Sequence, residues 1–369
     1  MKLSSLFTAR QSLRTPGVLA ILAGWIQLLA AAGSPELLRE FVYDQSAPTP
    51  ECHASTLCEI PGGIAAAWFG GTREKAPDVG IWFSRREDAG NSGRWSAPVE
   101  LFNGVGAGTN GTRLPCWNPV LFQNKGDQLT LYYKVGPSPD TWWGLLSTSA
   151  DGGRTWTPPQ RLPGQHLGPI KNKPVRTSDS FLVLPSSTEN HGWQVLFERH
   201  APLDGRWSYG EPVPDPANLQ GIQPTVLQLS GGRLAALGRT RRAGVLFRTV
   251  SSDQGVTWSP LAATDLPNPN SGVDAVTLAD GRHLLVYNHT KAGRTPLNVA
   301  LSSDDATTWS AVHTLESEPG EYSYPAVIQT SDGRIHITYT WHRTRVRHVV
   351  LESGKFQPRR IVGGIWPAP

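Results

Sequence analysis

The octapeptide Ser149-Ala-Asp151-Gly-Gly153-Arg-Thr155-Trp156 returns as Ser251-Ser-Asp253-Gln-Gly255-Val-Thr257-Trp258 and, with one glycine lost, as Ser302-Ser-Asp304-Asp-Ala306-Thr-Thr308-Trp309. Asp204-Gly205-Arg206-Trp207 is a worn fourth copy. The closing tryptophans at 156, 207, 258 and 309 are 51 residues apart each time, and Trp95 precedes Trp156 by 61. A fixed period of this size marks a repeated supersecondary unit. The pattern has the chemistry of a tight hairpin turn: Asp accepts nearby amide hydrogens, Gly supplies positive φ, Ser and Thr add local bonds, and Trp plugs the gap to a neighbouring unit. These Asp residues are therefore expected to be structural.

Between the tryptophans lies a second repeated signal, a Gly- or Asp-rich turn followed by a β-type run. The runs are Ile64–Phe69, Leu129–Tyr133, Phe181–Leu184, Leu234–Leu237, His283–Tyr287 and Ile335–Thr340. Six runs predict six units. After residue 50, short apolar runs bounded by Gly, Pro, Asp and Asn replace helical periodicity. The expected fold is all-β, a six-bladed β-propeller of about four strands per blade around a channel. The 38 Gly, 31 Pro and 14 Trp among 369 residues, with 17% charged, suit a closed ring of blades. With no low-complexity linker to divide it, one propeller domain is expected over residues 45–365.

Residues 1–34 read differently. Lys2, Arg10 and Arg14 precede an apolar run from Val18 to Ala32, and no acidic residue occurs before Glu36. This is the pattern of a signal peptide or short N-terminal anchor, which implies a secreted or periplasmic protein. Without its three basic residues the formal charge of +4 falls to +1, since 31 Lys and Arg then face 30 acidic residues. No basic face for nucleic acid is expected. Arg343, Arg345 and Arg347 alternate on what reads as a solvated edge strand.

Cys52, Cys58 and Cys116 are an odd number, so at least one thiol is unpaired within the chain. Cys52 and Cys58 sit too far apart along an extended strand to bridge, while Cys116 can reach either from a neighbouring blade. No CxxC spacing accompanies His53, so neither a metal nor another cofactor is expected.

In a radial fold, the starts of the innermost strands converge on the channel mouth. Polar and aromatic groups recur there: His53 and the Arg73–Asp78 turn in the first unit, Trp117-Asn118 in the second, Lys171-Asn172-Lys173 in the third. Gln223 with Arg239, Asn288-His289 with Arg294, and Glu321-Tyr322-Ser323-Tyr324 follow in the last three. Trp117, Trp142 and Trp143 read first as blade packing and second as sugar-stacking surfaces.

The octapeptide is the Asp-box of bacterial neuraminidase (BNR) repeats, and residues 50–350 resemble the sialidase superfamily. The resemblance implies an exo-α-sialidase-like glycosidase taking a terminal acidic sugar from a glycan. It places Asp78 as the loop acid, Arg239 and Arg294 as two of three arginines clamping the substrate carboxylate, and Tyr322 as the nucleophile. Arg73, Asn118, Lys171 and Tyr324 are expected to line the substrate site. Two positions depart from the pattern: His53 stands where the first arginine is expected, and Gln223 where the base that activates the tyrosine is expected. Imidazole is a weaker clamp than a guanidinium fork, and an amide cannot take a proton. His53 then becomes the replacement base if its pKa lies near 7. Two other readings use the same residues: a propeller polysaccharide lyase, with His53 as base and a tyrosine as acid against a uronate held by Arg239 and Arg294, and a carbohydrate-binding propeller without turnover. The expected partner is a glycan, with no stable membrane partner beyond the possible anchor.

Overall fold

The structure, a computed structural model, describes residues 33–43, 47–87, 93–190 and 192–368. The leader expected at residues 1–34 lies outside the described residues apart from its last two positions. Among the described residues no helix is long and apolar enough to cross a membrane.

Six antiparallel sheets follow one another along the chain and form the six blades of a β-propeller. Each of the six apolar runs read from the sequence falls in the second strand of its blade, as in Gly63–Gly71 of blade 1 and Ile335–Trp341 of blade 6. These strands are buried on both faces, so their sequences are continuous apolar runs rather than alternations. The core accordingly lies between blades. One cluster joins Ala65, Phe69 and Ile81 of blade 1 to Leu121, Leu131 and Tyr133 of blade 2, and equivalent clusters join blades 3 to 4, 4 to 5 and 5 to 6.

The octapeptides occupy the hairpins between third and fourth strands. Ser251 Oγ donates to Asp253 Oδ1 at 2.8 Å, and the Thr257 amide and hydroxyl donate to the same carboxylate at 2.9 and 2.5 Å. The copies at Asp151 and Asp304 repeat these bonds. The tryptophan then wedges against the preceding blade: Trp156 meets Phe83 edge-on at 5.7 Å, and Trp258 stacks on Phe197 at 3.7 Å. Gly255 is fixed by this packing, because a Cβ there would stand 2.7 Å from Val183 and its φ is +81°.

The strand Glu36–Phe41, upstream of the expected domain start at residue 45, is the outermost strand of blade 6 and pairs with Arg345–Leu351. Blade 6 is thus built from both ends of the chain, which closes the ring. The edge expected at Arg343, Arg345 and Arg347 is therefore covered. Arg345 and Arg347 lie over the Phe41 ring at 4.6 and 3.8 Å, and Arg343 turns toward the channel mouth. Glu40 seals the seam by accepting Arg86 Nε and Trp95 Nε1 of blade 1, both at 2.9 Å, and His348 Nδ1 at 3.0 Å. His348 Nε2 in turn faces His336 Nδ1 at 3.0 Å. Because Glu40 accepts from Nδ1, the network assigns His336 as donor to His348.

All three cysteines are buried and free, so the pairing considered for Cys116 does not form, and burial pushes each thiol up to about 12.

Candidate functional site at the channel mouth

Four innermost strands share one irregularity. Each inserts an extra residue opposite its neighbour, between His53 and Thr56, Trp117 and Val120, Ile222 and Thr225, and Ser323 and Ala326. The inserted turn carries a non-glycine residue at positive φ: Ala54 (53°), Asn118 (38°), Gln223 (53°) and Tyr324 (52°). A left-handed residue costs about 1–2 kcal/mol, and a bulge re-aims its side chain. In three of the four, proline follows at 119, 224 and 325, and it brings no amide hydrogen to be left unpaired at the broken ladder.

The bulge decides which tyrosine reaches the centre. Regular alternation would put Tyr322 and Tyr324 on one face, and the extra residue separates them. Tyr322 is buried in the apolar cluster of blades 5 and 6 beside His342, 5.1 Å ring to ring, with its phenol against Gly320. Tyr324 stands among groups from four other blades. Its ring lies 4.1 Å from the His53 ring, 5.6 Å from the Arg239 guanidinium, 5.7 Å from that of Arg294 and 5.8 Å from Lys171 Nζ.

Lys171, expected to face substrate, is committed to the protein. Its three donors go to Asn172 Oδ1 at 2.8 Å, Val273 O at 2.9 Å and Pro325 O at 2.5 Å, which uses every hydrogen an ammonium has. Burial brings its pKa down to about 7. Asn172 bonds the carbonyls of Gln223 and Pro224, and Lys173 pairs with Asp274 at 2.9 Å. Blade 3 thus sends the segment Lys171-Asn172-Lys173 across the axis to blades 4, 5 and 6, and the segment floors the site.

His53 is 3% exposed, with Nδ1 3.0 Å from Thr340 Oγ1. Burial, followed by the charges of Arg343, Arg294, Arg239 and Lys171, holds its pKa well below the usual histidine value. It is a neutral imidazole near pH 7, neither a third cation nor a base tuned to that pH. A further guanidinium, that of Arg343 in the turn after the second strand of blade 6, lies beside His53. Glu321 Oε1 accepts Arg294 NH1 at 2.8 Å, Arg343 Nε at 2.9 Å and Ser323 Oγ at 3.3 Å, while Glu74 takes the other side of Arg343. One internal carboxylate therefore bridges two guanidinium groups.

Gln223 is 2% exposed and its Oε1 has no protein partner, as is true of Asn270 Oδ1 and Arg239 Nε. Asn118 is buried beside Trp117, whose ring packs on Trp142 at 5.9 Å. Asp78 is exposed on the turn that begins with the exposed Arg73, and its carboxylate accepts the Thr72 amide and hydroxyl at 2.9 and 2.5 Å. Those bonds hold Asp78 below the ordinary carboxylate range. Glu189, absent from the sequence-based set, has its pKa raised by burial against the pull of Arg239, with Asp140 adding to the rise. The site as a whole gathers His53, Arg239, Arg294 and Tyr324 from the expected residues, adds Arg343 and Glu321, and leaves Tyr322 packed outside it.

The BNR repeat-like domain model matches residues 62–337. A sialidase from Bacteroides fragilis, strain YCH46, is 23% identical over 322 residues, 76% of this chain and 56% of its own length, so this chain spans about half of that relative. Among solved structures, a Hadza microbial sialidase superposes with a TM-score of 0.72 at 16% identity, over 87% of this chain and 69% of that one. A sialidase from Streptococcus pneumoniae gives 0.68 at 14% identity, over 90% of this chain and 73% of its own. At such identities these structures establish a common propeller.

Proposed function

The chain belongs to the BNR repeat-like domain family, and from that premise we propose that it is an exo-acting glycoside hydrolase of sialidase type, secreted or periplasmic, that removes a terminal acidic sugar from a glycan. The observation that carries the reading is the Tyr324 ring between the Arg239 and Arg294 guanidinium groups at 5.6 and 5.7 Å, at the mouth of a floored channel. Arg239, Arg294 and Arg343 hold the sugar carboxylate, and their planar forks suit its two oxygens. Tyr324 is the nucleophile toward the anomeric carbon, since tyrosine serves glycosidases outside the two-carboxylate pattern. The Gln223 amide oxygen and Asn118 bind sugar hydroxyls. The floor made by Lys171-Asn172-Lys173 favours attack at chain ends.

A binding-only propeller is the second reading, and Gln223 favours it, because an amide stands where a base would activate the phenol. Aryl sialosides, aryl glucuronides and unsaturated uronides, incubated with the wild type, Tyr324→Phe and Tyr322→Phe, separate the readings. Wild-type release of sugar that falls by about 1,000-fold or more in Tyr324→Phe and is retained in Tyr322→Phe is the expected outcome. Unsaturated products from a saturated uronide would transfer the protein to the lyases. Saturable binding without turnover would make it a lectin.

A further inference from the structure

Blades 2 and 3 leave a cleft of about 330 Å³ between them. Asp140 and Trp142 line it from the loop after the second strand of blade 2, and Val135, the last residue of that strand, pairs with Cys116. The cleft therefore opens on the same end of the ring as Trp117 and Asn118. Two contacts tie it to the central site. The Trp142 ring packs on Trp117 at 5.9 Å, and Trp193 lies over the Arg239 guanidinium at 5.1 Å while its chain neighbour Gln194 lines the cleft.

The walls of the cleft are braced from within. Glu198, fully buried, accepts the Leu167 and Gly168 amide hydrogens at 2.9 and 3.0 Å, and its other contact is His166 Nδ1 at 3.1 Å, beside a longer bond from Ser186. The His166 ring in turn meets Tyr209 edge-on at 5.7 Å. Tyr209 is thereby held at the cleft from blade 3, and Trp143, under the Arg161 guanidinium at 4.9 Å, from blade 2. A pyranose offers apolar C–H faces to such rings and a rim of hydroxyls to short polar side chains such as Asp140 and Gln194. Asp140 and Arg161 bring opposite charges to the lining, whereas the mouth gathers Arg239, Arg294 and Arg343, so the cleft suits a neutral ligand where the mouth suits an anion. We propose that the cleft is a second saccharide-binding site, which holds neutral pyranose rings of a glycan against Tyr209 and Trp143.

Assigning those rings to the glycan whose terminal acidic sugar sits at the mouth rests on the hydrolase reading; the sugar site itself stands on the cleft. Contacts made there involve a part of the substrate remote from the bond that breaks. They act equally on the ground state and the transition state, so they lower KM and leave kcat alone.

The test has a binding arm and a kinetic arm. Lactose and cellobiose, two neutral disaccharides, are titrated against wild type, Tyr209→Ala, Asp140→Ala and Arg294→Ala and followed by saturation-transfer NMR. Saturable binding of at least one of them is expected in wild type and in Arg294→Ala. It should weaken about 3- to 10-fold in Tyr209→Ala and about 3-fold or more in Asp140→Ala, whose exposed position carries no core packing. In the kinetic arm one acidic sugar is attached either to lactose or to a 4-nitrophenyl group. Tyr209→Ala should raise KM for the lactose conjugate about 3- to 10-fold with kcat unchanged, and shift the 4-nitrophenyl glycoside by less than about 2-fold. Absence of disaccharide binding in wild type, or binding that Arg294→Ala abolishes while Tyr209→Ala and Asp140→Ala leave it intact, would overturn the proposal. Equal rises in KM on both substrates would place the effect of Tyr209 at the mouth and overturn it as well. Disaccharide binding that depends on Tyr209, with no turnover of either conjugate, would sink the hydrolase reading and keep the cleft as a sugar site.

Discussion

At the scale of single residues, Glu321 is the most informative group in the site. Its carboxylate already occupies the space between Arg294 and Arg343 at 2.8 and 2.9 Å, so a substrate carboxylate entering the clamp meets a resident negative charge. Glu321→Gln keeps an oxygen for Arg294 and removes that charge. The Michaelis constant for a carboxylated sugar should fall by about 3- to 10-fold with kcat little altered, and a neutral aryl glycoside should show no such gain. An increase in KM in steady-state assays would identify Glu321 as the bracket that orients the two arginines. Arg239 and Arg294 were legible through the resemblance to the sialidase superfamily, whose pattern has arginines at the matching positions. The sequence hid Arg343, whose role depends on a strand some 300 residues away covering the edge it was assigned to, as in the pairing of Phe41 with Arg347.

At the scale of elements, the hairpin octapeptide was legible because its chemistry is local: Asp, Gly and Thr interact within a few residues, and no distant partner is needed to recognise them. Asp253→Ala removes the acceptor for Ser251 Oγ and for both Thr257 donors. Loss of these bonds on a partly exposed turn should cost about 1–2 kcal/mol and lower Tm by about 2–5 °C in calorimetry, with activity retained. A loss of turnover without a loss of stability would give this aspartate a role in the site. The bulged inner strands were less legible. Period-two alternation placed Tyr322 and Tyr324 on one face, and the inserted residue at φ 52° placed them in different environments. Proline after the bulge at 119, 224 and 325 is the signal that could have exposed it, since an interior strand that tolerates proline is already irregular.

At the scale of the whole molecule, closure depends on buried neutral histidines. His336 is brought down to about 3 by burial and then by the neighbouring His348, which burial also lowers against the pull of Glu40. A histidine depressed in the folded state contributes stability that is full above the unfolded value near 6.5 and is lost as pH falls toward the folded value. Each such group contributes a slope of about 1.4 kcal/mol per pH unit within that window. Thermal melts from pH 7.5 to 5 should therefore show Tm falling with acidity below about 6.5, and His336→Gln should flatten the fall. A Tm that rises on acidification would contradict the assignment of these imidazoles as neutral. Glu36–Phe41 pairs with Arg345–Leu351 across the closing seam, so truncation before residue 42 strips blade 6 of its outer strand. The segment Lys171-Asn172-Lys173, with its bonds to blades 4, 5 and 6, turns what could have been a tunnel into a cul-de-sac. Under the proposed hydrolase function, traffic through the mouth would be two-way on one lane: a released monosaccharide would back out past the same arginines that admitted it, before the next chain end could enter.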